Sequence, residues 1–320
     1  MYLYFLLYNI FAFITLKNSN YILMASRRFV SITHLHLYAI INTIIKYKYR
    51  QQAIKVIRIL DVGCGTGVLL STLIKELPLK NPGISFEFYG LDVNDSHIQE
   101  SGYFEKMILL LQSVDAKVEW QNNLKLISSH DYWPFEDDFF DIIFSNQVLE
   151  HVFDQELFLK EIHRTMKNHG YSFHLYPLKH YIYEGHLLIP FVHKFKSWTT
   201  TYYWIKWGIY LGFGTYRRHK KAGLTSSVRE FAKRHADYMA FEVNYQTARQ
   251  IAATAKKCRL KNSFDFTYLY YKQKLRSLFG LSPLEIYRRT DMCSSKNSFY
   301  FFFLKYVAGI TLVLRKNNSF

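Results

Sequence analysis

The run Ile59-Leu60-Asp61-Val62-Gly63-Cys64-Gly65-Thr66-Gly67 holds the clearest chemical capacity in the sequence. Glycines at alternate positions after a short apolar run allow positive φ, and their N–H groups can approach a ligand closely where a helix begins. A nucleotide-like molecule suits such a turn. A dinucleotide site needs a third glycine in G-x-G-x-x-G, and counting from Gly63 and Gly65 that place falls on Val68, which weakens the dinucleotide reading. Asp92 closes Phe88-Tyr89-Gly90-Leu91-Asp92. A carboxylate at the end of a strand can accept both hydroxyls of a ribose, through charge-assisted bonds of about 1.5–3 kcal/mol each; the plainer alternative is a surface aspartate that ends a strand. Candidates for proton removal are His151 and the group Glu184-Gly185-His186. For His151 the competing role is ordering a loop, and for His186 it is substrate contact or structure.

Two further stretches extend the pattern. Trp133-Pro134-Phe135 leads through Phe140-Asp141 to Glu150-His151, and Glu161 to Lys167 precedes the turn His169-Gly170. Taken with the glycine turn and Asp92, these stretches resemble the class I S-adenosylmethionine-dependent methyltransferases over about 120 residues in the expected order. The resemblance implies S-adenosyl-L-methionine as cofactor, with contacts from Asp61, Gly63, Cys64, Gly65, Gly67, Asp92, Val93, Ser129, His130, Asn146 and Gln147. One departure stands out: Ser129, flanked by His130 and Asp131, occupies the place where the family usually carries an aspartate before the Pro-Phe turn. The implied reaction is methyl transfer by in-line displacement, in which the protein aligns the reactants and removes a proton from the acceptor. The segment Glu184 to His193 also resembles methyltransferases thought to act in surface-polysaccharide synthesis.

These residues need a scaffold that brings strand ends to one edge. Strands are expected at Val56–Val62, Phe86–Val93, within Lys117–Ile127, at Phe140–Ser145 and at Tyr171–Tyr176, with helices at Val68–Leu77, Ser96–Ser113 and Gln155–Lys167. Strands alternating with helices predict an α/β fold with a doubly wound, mostly parallel sheet, and the resemblance sets it at seven strands. A helix over Ile32–Arg50 leads into this core, and residues 1–50 form an N-terminal hydrophobic, helical extension. The cofactor-binding core spans 51–177, a basic aromatic insertion 178–236, and the segment 237–320 completes the sheet. That last segment is read as a helix at Phe241–Lys257, a strand near Phe264–Tyr271, a helical stretch and a strand at Ala308–Arg315.

The totals narrow the class. With 49% hydrophobic and 21% charged residues, the chain can bury a core and is too weakly charged for disorder. Cys64, Cys258 and Cys293 are far apart, which argues against a disulfide framework or zinc ribbon and favours a cytoplasmic setting. No His-Glu-x-x-His or Cys-x-x-Cys arrangement occurs, so no metal is expected. The net charge of +16 is unevenly spread: residues 61–176 come to about −10, and both flanks are basic. Trp198, Tyr202, Tyr203, Trp204, Trp207 and Tyr210 precede Arg217-Arg218-His219-Lys220-Lys221. Such a mixture suits peripheral contact with the inner face of a membrane, with nucleic acid as the less favoured partner, although Tyr, Phe and Lys are abundant throughout. Met1–Leu16 is apolar but shorter than a spanning helix, and is expected to be an extension or an upstream stretch beyond the working protein. The expected function is methylation of an oxygen or nitrogen on a small, glycan or lipid-linked acceptor, the alternative being an RNA methyltransferase or RNA-binding module.

Overall fold

The computed structural model describes residues 29–52, 54–95, 101–288, 296–307 and 309–317; the expectation for Met1–Leu16 lies outside them. Helix α1 (Ile32–Ile44) begins at Ser31, whose side chain accepts the His34 N–H, and continues into a π-helical turn, Ile45–Tyr49. Leu35 to Ile45 are buried, so this helix lies inside the packed structure instead of beside it.

Among the described residues seven strands follow with their helices. They are β1 (Val56–Val62), α2 (Val68–Lys80), β2 (Ser85–Val93), α3 (Tyr103–Val114), the single turn α4 (Trp120–Asn123), β3 (Leu124–Ile127), β4 (Phe140–Asn146), α5 (Gln155–Thr165) and β5 (Met166–Tyr176). Then come α6 (Trp198–Tyr210), α7 (Tyr216–Lys221), α8 (Val228–Phe241), α9 (Ala248–Lys257), β6 (Leu260–Ser263), α10 (Thr267–Leu278), α11 (Lys296–Leu304) and β7 (Ile310–Lys316). The sheet order is β3-β2-β1-β4-β5-β7-β6. The first five strands pair in parallel, and only β7 runs against its neighbours β5 and β6. This is the expected doubly wound, mostly parallel α/β sheet. The chain winds outward from β1 through β2 to β3, then returns to place β4 on the other flank of β1. A crevice therefore opens at the carboxyl ends of β1 and β4.

Both faces of the sheet are covered, which is why its central strands carry nearly unbroken apolar residues. Ile57 and Ile59 of β1 join α1, α2, α3 and α10 in one core, while Leu60 and Val62 join α5 and α9 in the other. Leu187, Ile189, Val192, Ile205, Phe231 and Ala236 form a third, smaller cluster, so the segment between β5 and β6 has a core of its own.

Several element expectations need correction. No continuous helix runs from Phe241 to Lys257: α8 ends at Phe241, and α9 starts afresh at Thr247, which forms a capping box with Gln250. The strand expected at Phe264–Tyr271 is a helix there. Phe266, Leu269 and Tyr270 lie at helical spacing and bury one stripe, so packing overrides the β-propensity of the aromatics, and the strand sits earlier, at Leu260–Ser263. Strand β5 starts at Met166, upstream of the expected Tyr171, with a register shift opposite Phe140–Ile142. The helix predicted over Ser96–Ser113 is described only from Tyr103, because residues 96–100 lie outside the described segments.

Candidate active site

The glycine turn is built by conformation. Gly63, Gly65 and Gly67 have φ of +69°, +51° and +73°. At Gly63 a Cβ would lie 2.4 Å from Val148 Cγ2, so the bare backbone also serves a close approach between the ends of β1 and β4. Gly67 serves as the N-cap of α2. The Gly65 N–H donates to Asp92 Oδ2 at 2.7 Å and the Val93 N–H to Asp92 Oδ1 at 2.8 Å. Asp92 thus anchors the turn from the neighbouring strand. It is 8% exposed, and burial raises its carboxyl above the ordinary range although both N–H bonds oppose the rise. Asp61 is 2% exposed, and burial together with the nearby Asp92 pushes its carboxyl well up.

Two clefts meet at Gly63. The larger, about 470 Å³, is lined by Gly63, Asp92, Val93, Ser129, His130 and His151 together with apolar side chains such as Trp133, Val148 and Phe153. The smaller, about 210 Å³, is lined by Asp61, Gly63, Cys64, Gly65, Thr66, Asn146 and a residue of α1, His34. The glycine turn and Asp92 consequently face one region. Gln147 is exposed with φ +59°, donates its N–H to Leu175 O, and lines neither cleft. Cys64 is buried beside Gly90, and burial with the charges of Asp92 and Asp61 raises its thiol far above the ordinary value, which makes it a packing residue.

The turn at Trp133 is held from α5. Glu161 accepts the Trp133 N–H at 2.8 Å, and Arg164 donates to Trp133 O, Phe135 O and Asp137. Ser129 places its N–H and Oγ on Asp95, at 2.9 Å from Oδ2, and Ser128 Oγ joins them. Sequence reading missed Asp95, which also lines the larger cleft. Its only local signal is a second carboxylate three residues beyond Asp92. Burial works against its charge, but the Ser128 and Ser129 hydrogen bonds hold its pKa below the ordinary range.

The candidate bases come together. His151 lines the larger cleft and places Nδ1 2.7 Å from Glu242 O. Its ring centroid is 5.8 Å from that of His186, which lines neither cleft. Glu184 has a fully buried side chain that accepts from the His186 N–H, the Leu187 N–H and the Tyr245 hydroxyl and pairs with His186 Nδ1 at 2.8 Å. Burial alone would raise Glu184, yet these partners hold it below the ordinary carboxyl value. Burial likewise pulls His186 down, and the bond and charge of Glu184, aided by Glu150, outweigh it and lift the imidazole. Tyr238, with its hydroxyl 3.2 Å from His186 Nδ1, and Tyr245 were not legible as site residues, since they approach from residues more than 50 positions away. Glu150, 1% exposed, has no hydrogen-bond partner on either oxygen, and burial raises it to about 8.

The chain matches known proteins at the level of a family. A model described as a methyltransferase domain covers residues 36–252. The ubiquinone biosynthesis O-methyltransferase of Pelagibacter ubique is 27% identical over 134 residues, 41% of this chain and 48% of that protein, so the match spans about half the length of the relative. Among solved structures, phosphoethanolamine N-methyltransferase 2 of Haemonchus contortus in complex with S-adenosyl-L-methionine is 13% identical at a TM-score of 0.39, over 82% of this chain and 48% of that one. PKMT2 of Rickettsia typhi in complex with AdoHcy is 14% identical at a TM-score of 0.41, over 89% and 53%. With the family model spanning the glycine turn, Asp92 and both candidate bases on a seven-stranded sheet, the chain belongs to the methyltransferase domain family.

Proposed function

We propose that the protein transfers a methyl group to an oxygen or nitrogen of a small, glycan or lipid-linked acceptor, with the Glu184–His186 pair as the proton-accepting unit. The pair beside His151, which lines the larger cleft, is the observation that carries this reading. S-Adenosylmethionine, when bound, supplies a methyl group already activated on a sulfonium. The residues present fit it. Asp92 offers a carboxylate to the ribose hydroxyls, the apolar walls of the larger cleft suit an adenine ring, and the unpartnered Asn146 Oδ1 in the smaller cleft suits the polar tail. Gly63, Gly65 and Cys64 shape the turn, and Val93, Ser129 and His130 close the adenosine end.

Glu184 holds Nδ1 of His186, which leaves Nε2 as the basic nitrogen. His186 would accept the proton of the acceptor O–H or N–H as that atom takes the methyl group that bound S-adenosylmethionine would supply. His151 borders the same region. The name of the P. ubique relative, an O-methyltransferase, supports oxygen as the receiving atom. The test is labelled-methyl incorporation from S-adenosylmethionine into extracts of the source organism. Wild type should label an acceptor, while His186→Ala and Glu184→Gln should reduce labelling at least tenfold; equal labelling by the variants would overturn the assignment of the base.

A peripheral membrane reading rests on a separate observation. On α6, Tyr203, Trp207 and Tyr210 are more than half exposed, and α7 carries Arg217, Arg218, Lys220 and Lys221. Rings at the headgroup level and cations against anionic lipid suit an interfacial layer. No helix among the described residues is long and apolar enough to cross a membrane. Pelleting with phosphatidylserine vesicles tests this reading; protein that stays in the supernatant and shifts RNA in a gel would favour nucleic acid instead.

A further inference from the structure

We propose that His34, on the N-terminal helix and two residues before the segment matched by the family model, completes the cofactor site by accepting a hydrogen bond from the ammonium group of the cofactor's amino-acid tail. The inference rests on the reading of the two clefts given above. His34 lines the smaller cleft, and its Nδ1 is buried without a hydrogen-bond partner. His36, two residues on and on the opposite side of the same helix, has both nitrogens engaged, by the Tyr287 hydroxyl at 2.6 Å and Thr311 Oγ1 at 2.9 Å. A histidine that serves structure is satisfied in this way. A buried nitrogen left unpaired calls for a partner, and the cleft that His34 lines is where a ligand would supply one.

The same cleft holds two more acceptors. Asn146 Oδ1 is also buried without a partner, and Asp61 contributes a carboxylate from the end of β1. His34, Asp61 and Asn146 bring acceptors to the space, and no lysine or arginine lines it. An ammonium group, with three N–H donors and a positive charge, matches those acceptors. Burial holds the His34 imidazole down, at about 4, so it is uncharged near neutrality and does not repel a cation. Its position is fixed by the Ser31 cap, whose Oγ accepts the His34 N–H, and by the buried face of α1 against the sheet. Discrimination between ligands with and without the amino-acid tail would therefore depend on a helix outside the strand framework.

Calorimetric titration with two ligands tests this: S-adenosylhomocysteine, which carries the ammonium group, and 5′-methylthioadenosine, which lacks the tail. His34→Ala should weaken S-adenosylhomocysteine about tenfold or more and change methylthioadenosine less than about twofold, and His34→Gln, which retains an acceptor, should recover part of the loss. Asn146→Ala should behave in the same selective way. Equal weakening of both ligands in His34→Ala would mean that the residue only positions α1, and unchanged affinity for S-adenosylhomocysteine would mean that it makes no contact; either overturns the proposal. If wild type binds neither ligand, the cleft assignment itself has failed.

Discussion

Replacing Asp92 by alanine removes two things at once. In the proposed site its carboxylate accepts two ribose hydroxyls, and charge-assisted bonds contribute about 1.5–3 kcal/mol each. Because paired contacts on one group are not additive, we expect a loss of about 3 kcal/mol, or roughly 100-fold in affinity. The carboxylate also accepts the Gly65 and Val93 N–H groups at 2.7 and 2.8 Å. Alanine leaves these donors without that partner, and an unsatisfied buried donor costs about 1–3 kcal/mol, so the variant should also unfold at a lower denaturant midpoint. Asp92→Asn separates the two effects. It keeps an oxygen for one N–H but loses the charge, so affinity should fall by about 1.5 kcal/mol, roughly tenfold, with most of the stability retained. Calorimetry with S-adenosylhomocysteine gives the affinities and urea titration the stabilities. A dissociation constant within twofold of wild type for Asp92→Ala would refute the ribose assignment, whatever happens to stability.

Gly63→Ala should abolish cofactor binding and lower stability by about 2–4 kcal/mol, since a Cβ at positive φ would sit 2.4 Å from Val148 Cγ2; an unchanged melting curve would show that the turn can relax. The rate of methyl transfer should rise with pH as His186 loses its proton, with a midpoint above the ordinary histidine value of about 6.5, and Glu184→Gln should move that midpoint downward. The same pair acts on stability from two sides: the contribution of Glu184 is present above the ordinary carboxyl pKa and lost as pH falls through its lowered folded value, while that of His186 is full below the ordinary imidazole pKa and lost as pH rises through its raised one. Glu150 should behave oppositely to Glu184. Its folded pKa of about 8 lies above the unfolded one, so stability falls as pH rises through that window, and Glu150→Gln should flatten the thermal-melt profile between about pH 4.5 and 8. An unaltered profile would mean that the carboxyl has a partner in solution.

What the sequence determined by itself is what short stretches of chain enforce. Gly63, Gly65 and Gly67 read as a turn because only glycine adopts positive φ there without strain, and Asp92 reads as a site residue because it follows an apolar run at the carboxyl end of a strand. The capping pair Thr247 and Gln250 was equally local, and its presence three residues apart already marked the start of α9 that the continuous helix reading passed over. The tertiary structure alone decided the rest, because those contacts join residues with no pattern between them. Asp95 meets Ser129, Tyr245 meets Glu184, and His34 meets the cleft only after the crossovers have brought β1, β2 and β4 side by side. The helix at Thr267–Leu278 is of the same kind: its aromatic residues favour a strand by composition, and the core it packs against, assembled from α1 and the sheet, selects the helical stripe instead.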